Sequence, residues 1–341
     1  VALRIKKHAL LGALMGAFAL SFAQVGAISV HAGDPAPKAV PPLPAVRASA
    51  VPASSPSGSA DLVVLISLDG LRPDVIAPDM RGLHRLYLQG ATPHVARTIT
   101  KSATLPAHAS MVSGVDASQH QLDFNAYKPE RGAIAVPTIF SLVHQAGLPT
   151  AMFVGKGKLR HLLGRANDSS FKVGGLICEK QLKDALPYLQ TAERGLVFLH
   201  FADPDSAGHR FGWMSNEYIE AVHRADRCLE RVLDVVEQGG RKDRTLVIVT
   251  SDHGGHNKSH GTRLDVDQHI PWYALGAGVQ RGRIKRAIHT TDTAATTLAA
   301  LGVLHPPFMQ GQPVLEALGS VGPAGMALLG KPIPEPDKQS R

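Results

Sequence analysis

Residues 245–261 read T-L-V-I-V-T-S-D-H-G-G-H-N-K-S-H-G, and this stretch decides the fold. Its first part, residues 246–249, is a β-branched apolar run with the composition of a fully buried strand. The run stops at Ser251-Asp252-His253-Gly254-Gly255, a tight turn crowded with metal-ligating side chains. In an open α/β sheet, ligands gather beyond the carboxyl ends of the strands. An adjacent Asp and His at such an end can turn an oxygen and an imidazole onto one cation. Taken alone, Asp-His-Gly is more often a polar turn that binds nothing, so the flanking chain has to decide.

Outward from this turn the same grammar recurs. Apolar β-rich runs lie at residues 62–67, 150–154, 196–201, 246–250 and 271–275, and helix-like stretches at 138–145, 216–236 and 291–300. Strands alternating with helices predict a three-layer α/β/α sandwich with a largely parallel central sheet. With 341 residues, 44% of them hydrophobic, the chain can bury a large core, and disordered and fibrous classes are excluded. The formal charge of +8 includes Arg4, Lys6 and Lys7 of an N-terminal segment without acids, so +5 remains beyond it. That residue of charge is too small and too scattered to predict a nucleic-acid polymer as partner.

Residues 1–32 have the layout of a secretory signal: a basic start, an apolar run at 9–20, then small residues. Cleavage after Ala23 or after Ala32 fits the small-residue rule, with the weight on Ala23. The rival, an uncleaved anchor, has an apolar run short of the roughly 20 residues that a spanning helix needs. A periplasmic or secreted location is expected. Residues 33–60 are rich in Ala, Pro and Ser and read as a linker, 61–320 as the catalytic domain, and 321–341 as a C-terminal tail. An oxidising compartment permits a Cys178–Cys228 disulfide, but two buried free thiols fit the sequence equally well.

Three further segments carry metal-ligand or nucleophile chemistry. The first apolar run ends in Asp69-Gly70, where the ordinary reading is an aspartate that caps a helix. Thr104-Leu105-Pro106-Ala107-His108 places a hydroxyl at an apparent helix start, either as a cap or as a nucleophile. A threonine attacks at neutral pH only beside a metal or base that lowers its pKa. In Pro204-Asp205-Ser206-Ala207-Gly208-His209, Asp205 and His209 are four apart, so a helical turn lets a carboxylate and an imidazole converge on one metal.

In this order the four segments resemble the alkaline phosphatase superfamily, and most of all its type I phosphodiesterase/nucleotide pyrophosphatase branch. Residues 120–125 resemble the histidine-to-asparagine segment of that branch and 290–302 its closing helix, so the resemblance spans residues 62–312. It implies two zinc ions, one on Asp69, Thr104, Asp252 and His253, the other on Asp205, His209 and a further histidine. His260 is assigned to that last place because Ser259-His260-Gly261 resembles the His-Gly of several branches. His256 and His269 compete with it, since in the nucleotide pyrophosphatases this histidine comes much later in sequence. The resemblance also implies Thr104 as the nucleophile, a phosphothreonine intermediate, and Asn125 as a donor to a non-bridging phosphoryl oxygen.

Lys156 and Lys158 follow another strand and are candidates for binding an anionic substrate, although the ordinary reading leaves at least one of them a solvated loop lysine. Their surroundings also resemble phosphonoacetate hydrolases, which keeps carbon–phosphorus cleavage open. The Cys/Ser-x-Pro-x-Arg signature of sulfatases is absent. The sequence therefore predicts a di-zinc hydrolase of small-molecule phosphodiesters or pyrophosphates. The alternatives are a phosphomonoesterase or phosphonate hydrolase on the same site, and a metal-dependent binding protein without turnover. Nothing in the sequence sets the oligomeric state.

Overall fold

A computed structural model of the chain describes residues 59–164 and 169–319. The signal region, all but the last two residues of the linker, and the tail from 321 onward lie outside the described residues. In chain order the strands are β1 (Leu62–Leu68), β2 (Ala91–Pro93), β3 (Ala96–Arg97), β4 (Thr150–Val154), β5 (Ser170–Val173), β6 (Gly195–Phe201), β7 (Thr245–Thr250), β8 (Trp272–Gly276), β9 (Gly282–Ile284) and β10 (Ile288–His289). The helices are α1 (Arg81–Gln89), α2 (Thr104–Ser113), α3 (Ala117–His120), α4 (Ile139–Gln145), α5 (Cys178–Thr191), α6 (Asp203–Phe211), α7 (Asn216–Gln238), α8 (Asp265–Gln268), α9 (Asp292–Ala300) and α10 (Leu315–Leu318).

Eight strands form one sheet in the order β5-β4-β6-β1-β7-β8-β2-β9, while β3 and β10 pair separately. Within the large sheet every neighbouring pair is parallel except the two made by β8, which runs against β7 and β2. The strand expected at 271–275 is thus present but reversed, because composition fixes a strand's burial and not its direction. The short strands β2, β5 and β9 escape a periodicity reading. They have three or four residues each, and β5 is mostly exposed at the sheet edge.

β1, L-V-V-L-I-S-L, is buried throughout, as a central parallel strand covered on both faces requires. Val63 and Leu65 face a core with Leu105 and Val112 of α2, Phe140 of α4 and Leu298 of α9. Leu62, Val64, Ile66 and Leu68 face the opposite core with Leu83 of α1, Leu182 of α5 and Leu229 of α7. The period of two along the strand therefore yields the three layers. Ser215 caps α7 by accepting from Tyr218 N–H at 3.2 Å, and residues 218, 222, 225, 229, 232 and 236 form its buried stripe. Of the two readings of the cysteines the disulfide is the one formed: Cys178 at the start of α5 is bonded to Cys228 of α7, and both are buried. Among the described residues no helix is long and apolar enough to cross a membrane.

Candidate active site

β4, β6, β1 and β7 lie side by side in register, with Val154 opposite His200, and Ser67 opposite both His200 and Thr250. Their carboxyl ends therefore deliver Lys156, the start of α6, Asp69, and Asp252-His253 to one edge of the sheet. Gly70 ties three of these ends together. Its φ of +74° is left-handed, and a Cβ there would lie 2.9 Å from that of Asp205. The Gly70 N–H donates to Asp252 Oδ1 at 3.1 Å, and its carbonyl accepts from Trp213 Nε1 and the Tyr218 hydroxyl, each at 2.9 Å.

Asp69, Asp252 and His253 form a first triad, wholly buried. His253 Nδ1–H donates to the Gly254 carbonyl at 2.7 Å, which leaves the Nε2 lone pair pointing inward. That nitrogen lies 3.4 Å from Asp69 Oδ1, 3.3 Å from Asp252 Oδ2 and 3.5 Å from Thr104 Oγ1. Neither carboxylate oxygen has a hydrogen-bond partner. His108 Nδ1 is 3.3 Å from Asp252 Oδ2, but its proton goes to the Thr104 carbonyl at 2.8 Å.

Asp205, His209 and His260 form a second triad. The four-residue spacing on α6 brings His209 Nε2 to 3.4 Å from Asp205 Oδ1, and His260 Nε2 lies 3.6 Å from the same unpartnered oxygen. His209 Nδ1 donates to the Lys258 carbonyl at 3.0 Å and His260 Nδ1 to that of Ser102 at 2.9 Å. The two Nε2 atoms thus present lone pairs to each other at 3.1 Å. Acceptors that face one another with no donor between them are costly unless a cation sits among them, so, although the His209 side chain is 47% exposed, the donor sets of both triads fit one divalent ion each. The His253 and His260 rings stack at 3.7 Å, making the two triads one site. Trp213 braces it, 5.2 Å from the His209 ring, and a Cβ on Gly255 would come within 2.2 Å of the Trp213 ring.

Thr104 is the first residue of α2 rather than its cap, a position taken by Ala103, and its hydroxyl faces His253 Nε2. Asn125 accepts the Leu105 N–H at 2.9 Å through Oδ1, which leaves its amide NH2 to donate outward. Neither lysine is a loose loop residue. Lys156 Nζ lies 2.6 Å from Asp69 Oδ2, also pairs with Asp205 Oδ2, and is 3.4 Å from Thr104 Oγ1. Lys158 Nζ donates to Asn125 Oδ1 at 2.9 Å. His256 is paired with Asp267 at 2.8 Å, and His269 lines a separate hollow with Arg72 and Asp265, so neither joins a triad.

Burial alone would raise the Asp69 carboxyl, but the Lys156 ammonium and the His200 N–H hold it well below the usual range. Burial likewise works to lower the Lys156 ammonium, yet Asp69 and Asp205 overrule it and the net direction is upward. Burial, and then the neighbouring His253, push the His260 imidazole down to about 4, keeping it neutral as a ligand must be. Two residues given no role by the sequence reading support the ligands. His200 Nε2–H donates to Asp69 Oδ2 at 2.8 Å while Nδ1 accepts from Gly155 N–H, and His108 spans Thr104 and Ser67. The available signal was a histidine inside the apolar strand 195–201, and another four residues beyond Thr104 on a helix.

A largely parallel sheet with helices on both faces, and with triads of potential metal ligands at the ends of its central strands, is the architecture of the alkaline phosphatase superfamily. Residues 63–145 and 157–297 match the family model for type I phosphodiesterase / nucleotide pyrophosphatase, and the chain belongs to that family. Human ectonucleotide pyrophosphatase/phosphodiesterase family member 7 is 25% identical over 224 residues, covering 58% of this chain and 48% of the relative. The chain spans about half the length of the mammalian relatives it matches. Among solved structures, murine ectonucleotide pyrophosphatase / phosphodiesterase 5 shares the fold with a TM-score of 0.63 at 14% identity, covering 72% of this chain and 96% of that one. A phosphonate monoester hydrolase of Agrobacterium radiobacter does so at 0.60, with 14% identity over 76% of this chain and 78% of that one.

Proposed function

We propose that the protein is a di-zinc hydrolase that cleaves phosphodiester or pyrophosphate bonds through a phosphothreonine on Thr104. The observation that carries this reading is the set of unpartnered acceptors: Asp69 Oδ1, Asp252 Oδ2 and Asp205 Oδ1, together with the opposed Nε2 atoms of His209 and His260. Asp69, Thr104, Asp252 and His253 would hold one zinc, and Asp205, His209 and His260 the other. Carboxylate and imidazole donors without a thiolate suit zinc in a catalytic site. When bound, the pair lowers the pKa of the attacking oxygen and neutralises charge on the leaving oxygen.

The chain's own groups position the rest. Thr104 Oγ1 attacks phosphorus, and the leaving oxygen departs on the opposite side, toward Asp205, His209 and His260. The Asn125 amide donates to a non-bridging oxygen as charge develops there. Water then attacks the phosphothreonine from the vacated side and frees Thr104, so two inversions give retention at phosphorus. The substrate is a small phosphoester, and the location periplasmic or secreted; the buried Cys178–Cys228 disulfide supports an oxidising compartment.

A second reading, a phosphomonoesterase or phosphonate hydrolase, is favoured by one feature. Lys156 lies beside Thr104 and Lys158 beside Asn125, two ammonium groups at the place where a doubly charged phosphoryl group would put its oxygens. The zinc-loaded chain is tested by its kcat/KM for bis-p-nitrophenyl phosphate against p-nitrophenyl phosphate. A ratio well above one is expected; a ratio well below one moves the assignment to the second reading. Turnover of neither, with fewer than two metals bound, would refute both.

A further inference from the structure

We propose that the hollow beyond His260 is the subsite for the departing group, and that it selects phosphoesters whose leaving group carries a second negative charge. This inference rests on the hydrolase reading and specifies the substrate class within it. The hollow has a volume of about 460 Å³, with Thr100, Lys101, Ser118, Gly261, Thr262 and Arg263 in its wall. Three joints fasten that wall to the catalytic groups. Gly261 directly follows His260. Ser102, next to Lys101, accepts from His260 Nδ1 at 2.9 Å and donates its hydroxyl to the Thr262 carbonyl at 3.1 Å. The Lys101 ammonium donates to the carbonyl of Asp123, two residues before Asn125. In an in-line displacement starting from Thr104 Oγ1, the leaving atom would move toward the triad that contains His260, and Gly261, the next residue in the chain, stands in the wall of the hollow.

The charge of this wall is positive. Asp116 also borders it as an ionised carboxylate that caps α3 through the backbone N–H and hydroxyl of Ser118, so Lys101 and Arg263 leave the wall a single net positive charge. Asp265, two residues past Arg263, is paired with Arg97 at 2.5 Å. Arg263 has neither a hydrogen bond nor an ion pair among the described residues, which leaves an uncompensated guanidinium on a polar hollow large enough for a small organic anion. Ile99 and Ala117 are the apolar members of the lining, too few to hold an acyl chain.

The test compares phenyl with 3-carboxyphenyl leaving groups, both as phosphate monoesters and as methyl phosphodiesters. The meta carboxylate adds charge while changing the phenol's leaving ability little. With wild-type protein carrying zinc, the carboxylated ester is expected to be preferred in kcat/KM by up to about fivefold, the upper end of the range for an exposed ion pair. Arg263→Gln should bring the ratio to about one, Lys101→Gln should lower it less, and added salt should compress it in wild type. Cleavage of the phenyl ester without a preference, or a preference that survives in Arg263→Gln, overturns the subsite and leaves the hydrolase reading standing. Cleavage of neither ester by protein that also fails on both p-nitrophenyl esters overturns both.

Discussion

Replacing both cysteines by serine should cost the fold about as much as any single core substitution, and the size can be worked out beforehand. Cys178 and Cys228 are 50 residues apart in sequence. Closing a loop of that length in the unfolded chain removes conformational entropy worth about 4 kcal/mol at 25 °C. A local effect adds to it. The Cys178 N–H donates to Asp203 Oδ2 at 2.9 Å, and Arg224 Nε donates to Oδ1 at 2.8 Å. Burial pushes the Asp203 carboxyl up to about 6 despite Arg224, so this group depends on both donors. Asp203 opens α6, the helix that carries Asp205 and His209. Equilibrium urea unfolding of Cys178→Ser/Cys228→Ser beside wild type should show the loss as a lower midpoint with a somewhat steeper slope, because the unfolded chain without the cross-link is more expanded. Zinc titration should show the second triad weakened more than the first. A variant within about 1 kcal/mol of wild type would refute the chain-entropy reasoning, and equal weakening of the two triads would refute the link through Asp203.

Other perturbations separate the roles of individual residues. Thr104→Ala should retain metal, because Asp69, Asp252 and His253 remain, while turnover falls by about three orders of magnitude; substantial residual activity would remove the nucleophile assignment. His260→Ala should lower bound zinc from two per chain to one, whereas His256→Ala and His269→Ala should leave two, as read by metal analysis after dialysis. Burial drives His120 down to about 4, and its Nδ1 accepts the Leu122 N–H at 3.1 Å while Nε2 bonds Ser110. Its folded pKa is depressed, so its stabilisation is fully present above about 6.5 and is lost as pH falls through 4. That span corresponds to about 3 kcal/mol. Thermal melts of His120→Gln between pH 7 and pH 4 should therefore be flatter than those of wild type.

The central strands were legible because burial on both faces leaves an unbroken apolar run, as in β1 and β7. The candidate ligands Asp69, Asp252 and His253 could be proposed because they stand within three residues after such a run. Asp205 and His209 could be placed together from helical spacing alone. The last candidate could not be read this way: His260 reaches its place through a loop, and only the fold reveals that Ser102 accepts its Nδ1 proton. The engagement of Lys156 with both Asp69 and Asp205 depends on β4 lying next to β6, and strand order is a property of the whole sheet. The same holds for the reversed direction of β8 and for His200, whose partner Asp69 stands on a neighbouring strand.

The position of β1 also governs how the protein can come into being. It is the first long strand of the described chain, yet it lies in the middle of the sheet, with Leu62 opposite Gly195 on one side and Thr245 on the other. During synthesis one edge of its apolar ribbon stays unpaired until β6, at residues 195–201, has emerged, and the other until β7, at 245–250. Folding therefore depends on pairings distant in sequence, which slow it and leave the apolar ribbon exposed in the meantime. A chain built this way gains from being kept extended by a chaperone until its second half is available, and its yield on refolding should fall steeply with concentration.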